Sequence, residues 1–219
     1  MYKHIFADLD GTLTESRQEI SQEMYDAIVE AKSEFDIIVI SGAEKERIVK
    51  QLKGLDLEIM AQSGNDTQYW QNLLTRAEKA RILEHISKFE TVLYSMIDDR
   101  GCQISLSFTG HRASVEFKKS FDPDNTVRQR LLKKNPFIHK TLECRIAGTT
   151  CLDYTRKNGT KGKNIERLIK LKNWNKKDCI YFGDKLFKGG NDESVIGVIK
   201  VVEVSSPTDL LSKLKNNVY

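Results

Sequence analysis

No apolar run in this 219-residue sequence approaches the roughly 20 residues that a membrane-spanning helix needs. The opening "MYKHIFADLD" lacks the plan of a secretory signal. Cysteine is sparse: Cys102, Cys144, Cys151 and Cys179 form no Cys-x-x-Cys pair and no zinc-ligand spacing. They read as reduced, structural thiols, with Cys151 and Cys179 inside apolar strand-like runs. A cytoplasmic protein is the expectation. Charge of one sign is also missing, since 35 Lys and Arg face 31 Asp and Glu. No basic stripe interleaves with aromatics, and "KNWNKK" (172–177) reads as a solvated turn, so neither nucleic acid nor membrane is an expected partner. Internal repeats and low-complexity tracts are absent.

What is present is enough apolar character, 39% of residues, to bury a real core. Residues 3–8 read as a buried strand. "ISQEMYDAIVEAKSEF" puts Ile20, Met24, Ala27, Ile28, Ala31 and Phe35 on one helical face behind a Ser21 cap. "DIIVISG" (36–42) is a strand covered on both faces, followed by a helix that closes near Gly54 and by "LEIMAQSG" as the next strand. This alternation predicts a parallel sheet with helices on both sides. After about residue 70 the style changes: a helix at 77–89 precedes the alternating segments "TVLYSMI", "QISLSF" and "ASVEF". In "QISLSF", Ile104, Leu106 and Phe108 alternate with Gln103, Ser105 and Ser107, predicting a half-exposed antiparallel sheet. A helix near "NTVRQRLLKK" and strands at "LECRIAG" and "TTCLDY" follow, and the parallel style then returns. The expected division is a discontinuous body, 1–81 with 156–219, around an α+β insert at 82–155.

The polar groups with chemical potential sit where parallel strands end, which is where such sheets bind ligands. Asp8 and Asp10 follow the first strand, Ser41 the second, Ser63–Gly64 the third, and Asp184 follows "CIYFG". Gly11, Gly42, Gly64 and Gly183 accompany them, and a backbone without Cβ atoms lets a ligand come close. Lys161 opens a predicted helix, from which a cation can reach an anion. Each feature alone is a turn, a cap or a loop. Together, carboxylates, one lysine, a hydroxyl and bare amides suit Mg²⁺ with a phosphate.

These residues resemble the haloacid dehalogenase (HAD) superfamily of phosphoryl-transfer enzymes, whose four motifs occur here in order. "DLDGT" (8–12) is similar to the first, which implies Asp8 as nucleophile and Asp10 as acid/base. "ISG" (40–42) resembles the second and implies phosphate contacts from Ser41 and Gly42; "TKGKNIERL" (160–168) resembles the third through Lys161. "YFGDKLFKGGND" (181–192) resembles the fourth, with Asp184 as metal ligand and Asn191 and Asp192 in support. The implied fold is α/β: a Rossmann-like parallel-sheet core with an inserted α+β cap of C2 type, subfamily IIB. "DGTLTESRQEIS" and "FGDKLFKGGND" look like eukaryotic-type phosphomannomutases in particular. That likeness implies Arg17 and, through "AGTTCLDY", Asp153 as substrate contacts. Those mutases carry a cap segment R-N-G-M-L-N-V-S-P-I-G-R; the matching stretch here is "FTGHRASVEFKKS", with Thr109 at the first arginine position. Arg112, beside His111, and Arg128, Arg130 and Arg145 are the candidate replacements.

The resemblance implies Mg²⁺ on Asp8, Asp184 and the carbonyl of Asp10, with Asp10 kept protonated beside an anion. Missing cap arginines favour a hydrolase acting on a phosphorylated sugar over a mutase, the alternative that interconverts mannose 6-phosphate and mannose 1-phosphate. A non-catalytic phosphate-sensing or partner-binding member of the fold is a third reading. The insert is expected to act as a closing cap with straps near 76–82 and 155–160, and a homodimer through it is left open.

Overall fold

In the computed structural model, residues 2–89, 95–110, 113–148 and 150–216 are described. The chain forms two units, Met1–Gln71 with Gly159–Tyr219, and Asn72–Asn158. The expected boundaries at 81/82 and 155/156 thus lie elsewhere. Helix α3 (Arg76–Ile86) falls wholly in the second unit. It is anchored there by a capping box between Thr75 and Glu78, and by Arg156 donating to both Glu78 oxygens at 2.9 and 2.7 Å.

The first unit is a five-stranded parallel sheet built from β1 (His4–Ala7), β2 (Asp36–Ile40), β3 (Glu58–Met60), β8 (Cys179–Gly183) and β9 (Lys200–Glu203). Its order is β3-β2-β1-β8-β9, so the first and the penultimate strands in the chain are neighbours. Alternation along each strand sends side chains to opposite faces. Ile5, Ala7, Ile37, Val39, Ile180 and Phe182 join one core. Helices α1 (Gln22–Ala31), α2 (Lys45–Gln51) and α7 (Pro207–Asn216) cover it through Met24, Ile28, Ile48 and Leu210. Phe6, Ile38, Ile40 and Tyr181 form the other core, against Ile165, Leu168 and Ile169 of α6 (Lys161–Leu171). Covering on both faces is why these strands read as continuous apolar runs. The Ser21 cap forms as expected, its Oγ accepting from Met24 N.

The second unit is an antiparallel sheet of β4 (Met96–Asp99), β5 (Ile104–Ser107), β6 (Leu142–Ala147) and β7 (Cys151–Arg156), in the order β4-β5-β7-β6. Ile104, Leu106, Phe108, Leu152 and Tyr154 pack with Ile82 and Ile86 of α3. Two expectations are corrected here. "ASVEF" is not a strand: Ser114 caps a helix, α4 (Val115–Phe121), accepting from Phe117 N, and that local bond outcompetes an extended pairing. The polar side of β5 is also buried rather than solvated, with Gln103, Ser105 and Ser107 at most 1% exposed. Most of "TVLYSMI" lies outside the described residues, as do His111 and Arg112. Helix α5 (Thr126–Lys134) matches its predicted segment. Among the described residues no helix is long and apolar enough to cross a membrane, and all four cysteines are free.

Candidate active site

Parallel pairing of β1 with β8 puts Ala7 opposite Phe182, and the Asp8 amide continues the ladder to Phe182 O at 2.9 Å. The residues just beyond, Asp8 and Asp184, are thereby delivered to neighbouring strand tips. Gly11 permits their approach. Its φ is +89°, and a Cβ there would lie 2.5 Å from Asp184 Oδ2. Asp8, Asp184 and Asp192 each present a carboxylate oxygen within 4.8 Å of the others.

Lys185 Nζ lies 3.2 Å from Asp184 Oδ2 at their edge, and a buried cation lies between the other two. Lys161 Nζ donates to Asp8 Oδ1 at 2.6 Å and to Asp192 Oδ1 at 2.7 Å, with the Tyr181 hydroxyl 3.3 Å away. Tyr181 itself donates to Asp192 Oδ1 at 2.7 Å. Lys161 is the first residue of α6, and three contacts fix that end. The Thr160 side chain accepts from Lys163 N, Gly162 sits where a Cβ would overlap Ser194 O, and Asn164 Nδ2 donates to Ser63 O at 2.9 Å. Burial pushes Asp8 up to about 6 despite the pull of Lys161, with Asp192 adding to the rise. For Lys161 the order is reversed: burial opposes its charge, but the two carboxylates outweigh burial and raise its pKa. Asp192, also opposed by burial, is held below the usual carboxylate range by Lys161.

Asp10 is engaged differently. Its Oδ2 accepts from Arg47 Nη2 at 2.7 Å, and its Oδ1 accepts from Arg17 N at 2.7 Å and Gln51 Nε2 at 3.1 Å. Burial would raise its pKa, yet the Arg47 charge and these bonds bring it below the ordinary value. With no phosphate beside it, Asp10 is held in the carboxylate form, and the Arg47 guanidinium stands where the expectation of a protonated Asp10 places an anion. Arg47 and Gln51 were not anticipated, although their four-residue spacing on one face of α2 was a legible sign.

Ser41 is buried at the end of β2; its Oγ accepts from Ala43 N at 3.2 Å and its carbonyl from Ser63 N at 2.7 Å. Gly42 adjoins it. Asp192 joins the carboxylate group, whereas its neighbour Asn191 is exposed. Arg17 is exposed, with φ +61°. Asp153 and Arg145 belong to the second unit as opposed residues on β7 and β6. Asp153 accepts from Ser105 Oγ at 2.6 Å, and burial raises its pKa. Arg128, a candidate substrate cation, is structural instead. It is fully buried, 2.6 Å from Asp122, and donates to the carbonyls of Ala147, Gly148 and Cys151. A fork that saturates one hairpin turn has no donors left for a ligand.

Asp184 Oδ1 is buried and has no hydrogen-bond partner. An orphaned carboxylate oxygen beside two further carboxylates fits a hard cation that prefers oxygen ligands.

A parallel sheet with acids at adjacent strand tips and a buried lysine between them suits phosphoryl transfer. A family profile for haloacid dehalogenase-like hydrolases matches residues 5–138 and 40–196. The chain belongs to this family and is a phosphoryl-transfer enzyme of its superfamily, which removes the non-catalytic alternative. Within it the chain is phosphomannomutase-like, of subfamily IIB. It is 26% identical to phosphomannomutase 1 of Dictyostelium discoideum, covering 97% of this chain and 95% of that protein. Identity to the phosphomannomutase of Triticum aestivum is 25%, over 95% and 92% of the two chains. Among solved structures, a HAD phosphatase from Bacteroides thetaiotaomicron superposes with TM-score 0.72 at 13% identity, covering 99% of this chain and 95% of that one. A Synechocystis sucrose-phosphatase superposes with TM-score 0.62 at 12% identity, over 99% and 98% of the chains. These two share the fold.

Proposed function

We propose that the enzyme is a cytoplasmic, Mg²⁺-dependent hydrolase of a phosphorylated sugar. The observation that carries this reading is the pairing of four arginines in the second unit, where exposed Arg130 is the described candidate that forms no ion pair among the described residues. A mutase has to grip the far phosphate of a sugar bisphosphate, normally with free arginine forks. Here Arg100 is bound to Asp98 at 2.7 Å, Arg128 to Asp122 at 2.6 Å, Arg145 to Glu143 at 3.1 Å and Arg156 to Glu78 at 2.7 Å. Each carries its own carboxylate, so none of these four offers uncompensated charge to a distal dianion. Asp153 and Arg145 suit hydroxyl contacts better. The sugar itself is suggested by the phosphomannomutases that the chain resembles over nearly its whole length, and that same likeness favours the mutase as the second reading.

In the proposed reaction an Asp8 oxygen attacks phosphorus, and the bond from phosphorus to the sugar oxygen breaks, leaving an aspartyl-phosphate. Asp10 gives a proton to the departing oxygen, then takes one from the water that releases inorganic phosphate and restores Asp8. The second role suits Asp10 as found; for the first, Arg47 must let go and Asp10 must take up a proton from solvent as the substrate's anion comes beside it. Lys161 orients Asp8, while Ser41 and Gly42 offer donors to the phosphoryl oxygens. Mg²⁺, held by Asp8, Asp184 and the Asp10 carbonyl, would offset the charge of the clustered acids and of the phosphate. Incubation with mannose 1-phosphate, Mg²⁺ and a hexose bisphosphate primer tests the choice. Free phosphate is the expected product; mannose 6-phosphate without free phosphate would overturn the hydrolase.

A further inference from the structure

Beside α2 lies an open cavity of about 500 Å³, lined by Arg17, Arg47, Lys50, Gln51 and Lys53 with Glu19 as its one carboxylate. Four like charges gathered around one acid repel unless an anion joins them. Arg47 has Asp10, but Arg17, Lys50 and Lys53 form no ion pair among the described residues. Gln51 supplies a second, independent sign. Its side chain is buried, 4% exposed, and its Nε2 donates to Asp10 Oδ1, Thr14 Oγ1 and the Gln18 carbonyl, each at 3.1 Å. Two of those three atoms, a carboxylate and a carbonyl oxygen, can only accept, which fixes which end of the amide is nitrogen. The Oε1 atom is therefore an acceptor, and it is buried without a partner.

We infer that this cavity is a second phosphate site in the first unit, taking a small phosphate ester that also bears hydroxyl groups. The phosphate answers the lysines and arginines, and an alcohol hydroxyl of the same ligand donates to Gln51 Oε1, which a simple alkyl phosphate dianion cannot do. The site goes beyond the proposed hydrolase, whose phosphate is handled at Asp8. It also touches that chemistry, because the guanidinium it would engage is the one bound to Asp10.

The test is an amide ¹H–¹⁵N titration of the full chain in EDTA at pH 8 with methyl phosphate, a dianion without a hydroxyl, and, separately, with glycerol 1-phosphate. Saturable shifts are expected at Gln18, Lys50, Gln51 and Lys53. The double variant Lys50→Gln/Lys53→Gln should lose them while keeping its turnover of p-nitrophenyl phosphate with Mg²⁺. A matched variant, Lys170→Gln/Lys177→Gln, removes two exposed charges elsewhere in the same unit and should keep them. Glycerol 1-phosphate should bind about two- to tenfold more tightly than methyl phosphate, as one added hydrogen bond predicts. No saturable shift up to about 10 mM, which would reveal even millimolar affinity, overturns the site. Equal weakening in both double variants overturns it too, by reducing it to diffuse charge. Equal affinity for the two probes removes the hydroxyl contact and leaves the ligand class wrong.

Discussion

Gly11 is the residue on which the arrangement of acids depends most directly. An alanine there must hold a left-handed backbone, which costs roughly 1–2 kcal/mol, and must also push Asp184 away from a contact 2.5 Å from the new Cβ. Gly11→Ala is therefore expected to lower the melting temperature by a few degrees, on the order of 2–4 °C per kcal/mol for a chain this long. It should raise the Mg²⁺ concentration for half-maximal activity about tenfold or more, since one ligand would be displaced. A thermal melt and a metal-activation curve check both. A variant with unaltered metal response would show that Asp184 does not hold the ion. At this scale the sequence was a good guide to the acids and Lys161, because strand ends and short motifs mark them. It was silent on Tyr181 and misleading on Arg128. Whether a tyrosine hydroxyl meets Asp192, or an arginine closes a turn, depends on contacts between segments far apart in the chain.

Within the second unit, α3 is fastened to the sheet through His85. Its Nε2 lies 2.8 Å from the Asn135 carbonyl, which can only accept, so that nitrogen carries the proton and Nδ1 accepts from the Tyr154 hydroxyl, also at 2.8 Å. Burial lowers its pKa from the ordinary 6.5. Because the folded value is depressed, the unfolded chain takes up a proton first as pH falls. The contribution is then fully present above about pH 6.5 and is lost progressively below it. Circular dichroism melts between pH 7.5 and 5 should show this unit weakening, and His85→Gln should flatten the dependence; an unchanged slope in that variant would assign the effect to other groups. The elements themselves were readable where one physical signal dominated. The Ile-Ile-Val-Ile run of β2 and the 3.6-residue period of α1 are such cases. "ASVEF" was not, because five residues of alternation are weak against one serine cap. The burial of Ser105 and Ser107 was hidden as well, since alternation reports which residues share a face but not whether that face is covered.

Over the whole molecule, each unit has its own apolar core, and both tryptophans, Trp70 and Trp174, belong to the first. Tryptophan fluorescence therefore reports one unit, and circular dichroism reports both. Leu152 is fully buried in the second unit, and Leu152→Ala is expected to cost roughly 2–5 kcal/mol. Urea titrations of that variant should shift part of the dichroism transition and leave the fluorescence transition in place. Coincident shifts in both signals would mean that the units unfold as one.

The second unit is one unbroken stretch, Asn72–Asn158, and Asp8, Asp10, Ser41, Lys161, Asp184 and Asp192 all fall outside it. A gene can therefore exchange or rewrite that single internal segment while the codons of these six residues stay in place. Change in the inserted stretch and constancy in the acid-bearing segments are separable events along one gene.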